Sequence, residues 1–199
     1  MIKIKICGIK ERENAAQVAS LNVDFMGLIF AKSPRQVSVN LAQNLSEIIQ
    51  SKGKKAIGVF VDESDEFILN SAQNANLNGV QIQKNISQNL FERLKKLNLS
   101  VWQVISVGEI LQMPAEIHAD LVLFDTKGAL KGGNGVSFNW DLLKNYDKEF
   151  ALAGGIGVDN VEKALKFKPC ILDINSRVEN SSGLKDIDLI QELLTKIGR

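Results

Sequence analysis

Near the start of the chain, polar and apolar positions alternate strictly: Ile2, Ile4 and Ile6 fall on one face, Lys3, Lys5 and Cys7 on the other. A period of two predicts a strand over 3–7. The next runs, 24–30 and 56–61, are almost wholly apolar, as strands become when both faces are covered. Shorter apolar runs predict strands at 79–83, 100–106, 119–124, 150–156 and 171–176. Between them the period lengthens to that of a helix at 11–21, 40–51, 64–75 and 87–97. Further helices are expected at 108–113 (a weak pattern), 140–145, 158–166 (Val158, Val161, Ala164 and Leu165) and 186–197, and a glycine-rich loop at 126–137.

Strand and helix thus alternate eight times with short connections, and no linker or low-complexity break divides them. Such alternation means parallel strands joined by crossover helices. Eight units in one domain, spanning 1–199, favour an α/β fold of the (β/α)8 TIM barrel type, at the small end of its size range. An open doubly wound sheet is the alternative, but no G-x-G-x-x-G follows the first strand.

Composition narrows the function classes. Apolar residues make up 45% and charged residues 24%, ordinary for a soluble globular domain. A net charge of +1 gives no reason to expect nucleic acid as a partner, and no apolar run reaches membrane-spanning length. The chain enters a strand at Ile2 without a signal-peptide pattern, so a cytoplasmic location is expected. The two cysteines, Cys7 and Cys170, lack zinc-ligand spacing, and a disulfide between them is not expected in a reducing compartment. Cys170, early in its strand, reads as core. The single histidine, His118, precedes the sixth strand and receives no role. Proton chemistry must then rest on carboxylates, thiol or lysine. Trp102 and Trp140 are expected to pack between layers.

In a barrel, function sits at the carboxyl ends of the strands. Those ends read Cys7-Gly8, Arg35, Asp62 and Glu63, Gln83, Ser106, Asp125, Gly154-Gly155, and Asp173 to Ser176. Gly154 and Gly155 have no side chain to keep an anion from the backbone N–H groups, although Gly-Gly is equally the signature of a tight turn. If the isoleucines of the first strand face the helices, Lys5 and Cys7 point into the barrel, close enough for the ammonium to favour a Cys7 thiolate. A buried lysine needs a counterion. Asp173, on the strand that neighbours the first in a closed barrel, is the candidate. Taken alone, Cys7 reads first as a small buried hydrophobe, as most strand cysteines are. Asp125 reads either as a loop cap or, desolvated at the end of an apolar strand, as a proton donor.

In order along nearly the whole chain, these segments resemble the phosphoribosylanthranilate isomerase family. The resemblance rests on Lys3-Ile4-Lys5-Ile6-Cys7-Gly8, Gly27-Leu28-Ile29-Phe30 leading to Ser33-Pro34-Arg35, Asp125-Thr126-Lys127, Gly132-Gly133-Asn134-Gly135, Leu152-Ala153-Gly154-Gly155, and Leu172-Asp173-Ile174-Asn175-Ser176. It implies an Amadori rearrangement of N-(5′-phosphoribosyl)anthranilate in tryptophan biosynthesis. Carried over by position, Asp125 is the general acid on the furanose oxygen and Cys7 the general base at C2′. Arg35 holds the anthranilate carboxylate; Gly154, Gly155, Asn175 and Ser176 hold phosphate, with Asp173 also at the substrate. No metal or organic cofactor is implied.

Three places depart from the family pattern: Gln83 stands where histidine is usual, Asn175-Ser176-Arg177 where Ser-Ser-Gly is common, and the loop Lys127-Gly128-Ala129-Leu130-Lys131 is variable. The histidine-pathway Amadori isomerase, with a phosphate grip in each half, fits less well, because Asp62-Glu63 after the third strand would repel phosphate. A silent barrel that only binds a phosphorylated metabolite is disfavoured by the presence of both Cys7 and Asp125. The expected partner is a small phosphorylated substrate, on a monomer or homodimer.

Overall fold

The computed structural model describes residues 2–127 and 137–199. The eight strands are β1 (Lys3–Cys7), β2 (Phe25–Ile29), β3 (Lys55–Phe60), β4 (Gly79–Ile82), β5 (Ser100–Val107), β6 (Leu121–Thr126), β7 (Phe150–Leu152) and β8 (Ile171–Ile174). All neighbours are parallel and β8 pairs with β1, so the sheet closes into a barrel in sequence order. Closure removes both sheet edges.

The period-two pattern sorts side chains into two cores. One residue of each pair points outward: Ile4, Ile6, Met26, Leu28, Val80, Ile82, Phe124, Leu172 and Ile174 pack under the helices. The alternate set, Phe25, Ile57, Trp102, Val104, Leu123, Ala151, Ala153 and Ile171, fills the barrel's lower interior. Trp102 therefore lies inside the barrel rather than between layers. Its ring meets Phe25 edge-on at 5.2 Å, and its indole N–H donates to Ser100 Oγ at 2.8 Å. Trp140 does pack in the outer layer.

The helices are α1 (Arg12–Ala19), α2 (Val39–Ser51), α3 (Asp65–Asn74), α4 (Gln88–Lys96), α5 (Val161–Leu165) and α6 (Ile187–Lys196). In α2, Ala42, Leu45, Ser46 and Ile49 form the buried stripe, and Ser38 caps the start by accepting from Leu41 N–H. Ser64 and Ser87 cap α3 and α4 in the same way.

Several expected elements differ. No helix forms over 108–113: Gly108 and Pro114 leave room for barely one and a half turns, too short to repay nucleation, and Ile110 stays 63% exposed. The expected helix at 140–145 is a 3-10 turn, Trp140–Leu143, begun by Asn139. α5 is shorter than 158–166, because residues 158–160 form a turn. β6 begins and ends two residues later than expected, so Asp125 belongs to the strand itself. β7 and β8 end earlier, at Leu152 and Ile174, which releases the glycines and Asn175 from the ladder. Gly132, Gly133, Asn134 and Gly135 lie outside the described residues. No helix among the described residues is long and apolar enough to cross a membrane.

Trp102 holds the centre of the lower layer. Trp102→Ala should cost about 3–5 kcal/mol, read as a lower urea midpoint with unchanged slope. A loss below about 1 kcal/mol would contradict this placement.

Candidate active site

At the carboxyl end of the barrel the strands open on a cavity of about 790 Å³, including its mouth, lined by Cys7, Arg35, Asp125, Gly154, Gly155, Asp173, Asn175 and Ser176 together. All eight site residues expected from sequence thus share one pit. Gln83 also lines it, while Ser106, exposed and opposite Asp125 in the β5–β6 register, and Asp62 and Glu63 are not among its walls. Glu63 instead turns back to accept from Val61 N–H at 2.6 Å. His118 lies away from the pit, 3.4 Å from Glu116. Cys170 sits just before β8 at the opposite end, half-buried, its thiol donating to the Phe150 carbonyl at 3.1 Å.

The β1–β8 register sets Lys5 directly opposite Asp173. Lys5 is fully buried, and its Nζ donates to Asp173 Oδ2 at 2.8 Å. Burial works against the charged amine, but the Asp173 carboxylate outweighs it and keeps Lys5 protonated. The other Asp173 oxygen, Oδ1, is buried without a protein partner. An unused acceptor at a cavity wall is an invitation to a donor on a ligand.

Cys7 lies opposite Gly27 in the β1–β2 register. A Cβ at Gly27 would stand 2.7 Å from Cys7 Sγ and 3.2 Å from Lys5 Nζ, so the missing side chain makes room for both. The expected effect of Lys5 on the thiol is present but does not win. Burial pushes the Cys7 thiol up, Lys5 pulls it down, and the net shift is upward. Burial is the largest of these effects, and the Asp173 carboxylate beside the ammonium adds its own negative charge in the same direction. Cys7 is therefore a thiol in the unliganded protein.

Asp125 keeps part of its surface open to the pit, yet burial pushes its carboxyl up to about 6. The Thr126 N–H, donating to Oδ1 at 2.8 Å, only partly offsets this. The Asp125 proton is thus poised near neutrality, as an acid catalyst requires.

Beyond β7, Gly154 and Gly155 have φ of 91° and 61°, which favour glycine. A Cβ at Gly154 would fall 2.2 Å from Thr126 Oγ1. Asn160 holds this turn from behind: its amide donates to the Gly155 carbonyl and its oxygen accepts from Gly157 N–H, both at 2.9 Å. Beside this turn, against Gly157, Arg177 is drawn off by Asp159 at 2.6 Å.

Arg35 donates from Nε and Nη2 to the two oxygens of Glu179, each at 2.7 Å. Lys185, 2% exposed, donates to Glu179 at 2.6 Å and to the Asn175 side chain at 2.9 Å. Glu179, Lys185, Asn160 and the buried wall residue Gln81 were not legible as site residues. Only Gln81 carried a signal: a polar side chain inside an apolar strand at an inward-facing position.

Known proteins place this geometry. The N-(5'phosphoribosyl)anthranilate (PRA) isomerase family profile matches residues 4–196. The chain is 56% identical to the N-(5′-phosphoribosyl)anthranilate isomerase of Campylobacter jejuni, over 99% of both chains. Among solved structures it superposes on phosphoribosyl anthranilate isomerase from Thermus thermophilus with a TM-score of 0.86, at 25% identity and 98% coverage of each. A structure of the isomerase in complex with reduced 1-(o-carboxyphenylamino)-1-deoxyribulose 5-phosphate matches at TM-score 0.77, 26% identity and full coverage of both. The chain belongs to the N-(5′-phosphoribosyl)anthranilate isomerase family.

Proposed function

We propose that the pit converts N-(5′-phosphoribosyl)anthranilate to 1-(2-carboxyphenylamino)-1-deoxyribulose 5-phosphate, a step of tryptophan biosynthesis, with Cys7 and Asp125 moving the protons. The observation that carries this reading is their common pit: a thiol on β1 and a carboxyl on β6 wall one cavity that the Gly154-Gly155 turn also lines.

The phosphate docks on backbone N–H groups around Gly154, Gly155, Asn175 and Ser176, where glycine and the end of β8 leave the chain bare. Arg35 takes the ring carboxylate through charge-assisted hydrogen bonds. Asp173 Oδ1 accepts from a sugar hydroxyl, which satisfies its orphaned lone pairs.

Asp125 gives its proton to the furanose oxygen; the C1′–O bond breaks and the anilino nitrogen supplies the electrons, leaving a C1′ iminium. Cys7, as thiolate, removes the C2′ proton, and that electron pair flows into the iminium to give the enolamine, which tautomerises to the ketone. The substrate is its own electron sink, so the steps call for no metal or organic cofactor.

The active form needs the proton on Asp125 and off Cys7, the reverse of their separate preferences. Lys5 makes the minority thiolate reachable. The substrate and product are phosphorylated and do not cross membranes, which supports a cytoplasmic setting. One chain supplies every group used, on a monomer or a homodimer.

Loss of phosphoribosylanthranilate fluorescence measures the reaction. Cys7→Ala and Asp125→Asn should each lower kcat by roughly 10²- to 10⁴-fold with the fold retained. Near-normal turnover in either variant would remove that residue from the mechanism.

Asp125 also couples function to stability. Its folded pKa lies above its unfolded value, so its burial cost is fully present above about pH 6 and is relieved as pH falls towards 3.8. Two pKa units correspond to about 3 kcal/mol, less for a side chain partly open to water. Asp125→Asn should therefore melt higher than wild type at pH 7.5, with the gap closing towards pH 4. A gap that widens on acidification would contradict the assignment.

Iodoacetamide should alkylate Cys7 slowly at neutral pH, with a half-point above that of an ordinary thiol, and Lys5→Met should move it higher still. Fast labelling of Cys7 at pH 7 would show a resting thiolate instead.

A further inference from the structure

Five polar side chains at or beside the pit, Asn14, Lys185, Asn175, Glu179 and Arg35, have no task in the acid–base steps. Asn14 in α1 clamps the Lys185 backbone from both sides, donating to its carbonyl at 2.8 Å and accepting from its N–H at 2.9 Å. Lys185 Nζ reaches the Asn175 carbonyl at 3.1 Å, the Asn175 side chain at 2.9 Å and Glu179 at 2.6 Å. Glu179 in turn holds Arg35 by both oxygens.

Burying such a chain is costly. Apolar residues of similar volume are often as stable or more so, so the charges are not explained by stability. Their geometry suggests what they are for. A guanidinium is a planar fork with five N–H groups. Glu179 occupies the Nε/Nη2 edge, which leaves the Nη1/Nη2 edge for a second carboxylate. The cluster holds two cations against one anion, and a bound carboxylate would complete the balance.

Gly8 lets this assembly sit at the end of β1. Its φ is 83°, and a Cβ there would come within 2.6 Å of Arg35 Cδ and 2.9 Å of Asn175 Oδ1. The residue after Cys7 is thus the floor on which the carboxylate grip and the phosphate-side turn meet.

We propose that Glu179, backed by Lys185, is a positioning residue that fixes the free edge of Arg35 toward the substrate's ring carboxylate, and that Lys185 joins this grip to the Asn175 turn. The two ends of the substrate are then held by one connected unit. This rests on the isomerase reading of the pit.

The test uses two reduced product analogues, one with the ring carboxylate and one with a plain anilino ring, as competitive inhibitors of wild type, Glu179→Gln and Glu179→Asp. Wild type should prefer the carboxylate analogue by roughly tenfold to a hundredfold. Glu179→Gln should shrink that preference to a few-fold and raise KM by a similar factor, with kcat within about threefold; Glu179→Asp should recover part of it. The double variant Glu179→Gln/Lys185→Met, which leaves no buried lysine without its carboxylate, should show the same few-fold discrimination while binding both analogues more weakly through the freed Asn175 turn, and keeps the test informative if Glu179→Gln melts early.

A folded Glu179→Gln that keeps the wild-type preference overturns the proposal. So does equal weakening of both analogues, since a purely structural role would spare the discrimination. A wild type that does not consume phosphoribosylanthranilate overturns the isomerase reading and this inference together. An active wild type with unaltered discrimination in the variants overturns this inference alone.

Discussion

An ammonium and a carboxylate 168 residues apart, Lys5 and Asp173, meet at 2.8 Å inside the barrel, and much else follows from that contact. Neither could be buried alone, because an unpaired charge in that interior would cost several kcal/mol or lose its charge. Their meeting requires β1 and β8 to be neighbours in one register, so the pair exists only once the barrel is closed. A buried pair of this kind adds little net stability. What it does supply is a fixed local field. Lys5 faces Cys7 from the next inward position on β1, while the free oxygen of Asp173 faces the pit.

That field explains why the two proton-carrying groups are balanced rather than extreme. Lys5 favours a Cys7 thiolate, but burial opposes it more strongly and the Asp173 charge adds to that opposition. The thiol therefore keeps its proton. Asp125 lies on β6, where burial, helped by the Asp173 charge, lifts its carboxyl to about 6. The barrel thus separates duties by height. The lower interior is apolar and packed around Trp102, and the upper interior holds Cys7, Asp125 and Asp173.

How much of this could be read from the residues depended on the range of the interaction. Alternation in β1 revealed which side chains face inward, because a period of two is a local property. The same argument singled out Lys5, Cys7 and a need for Asp173. The expectation at 108–113 failed because a short helical period cannot outweigh Gly108 and Pro114 at its ends. Glu179 and Lys185 escaped notice for a different reason. They sit in polar stretches that read as ordinary loop and helix start, and only the return of the chain past Arg35 turns them into a buried relay. The protonation of Cys7 was also out of reach, since it depends on burial and Asp173 outweighing a cation that is plainly adjacent in sequence.

The bare backbone at Gly27 ties two strands together. Its missing methyl is the volume in which the sulfur atom and the lysine tip reside. Any side chain on β2 at that point would have to displace one or the other, so Gly27 and Cys7 form a single steric unit: the shape of the second strand is what leaves the first one room to carry a thiol.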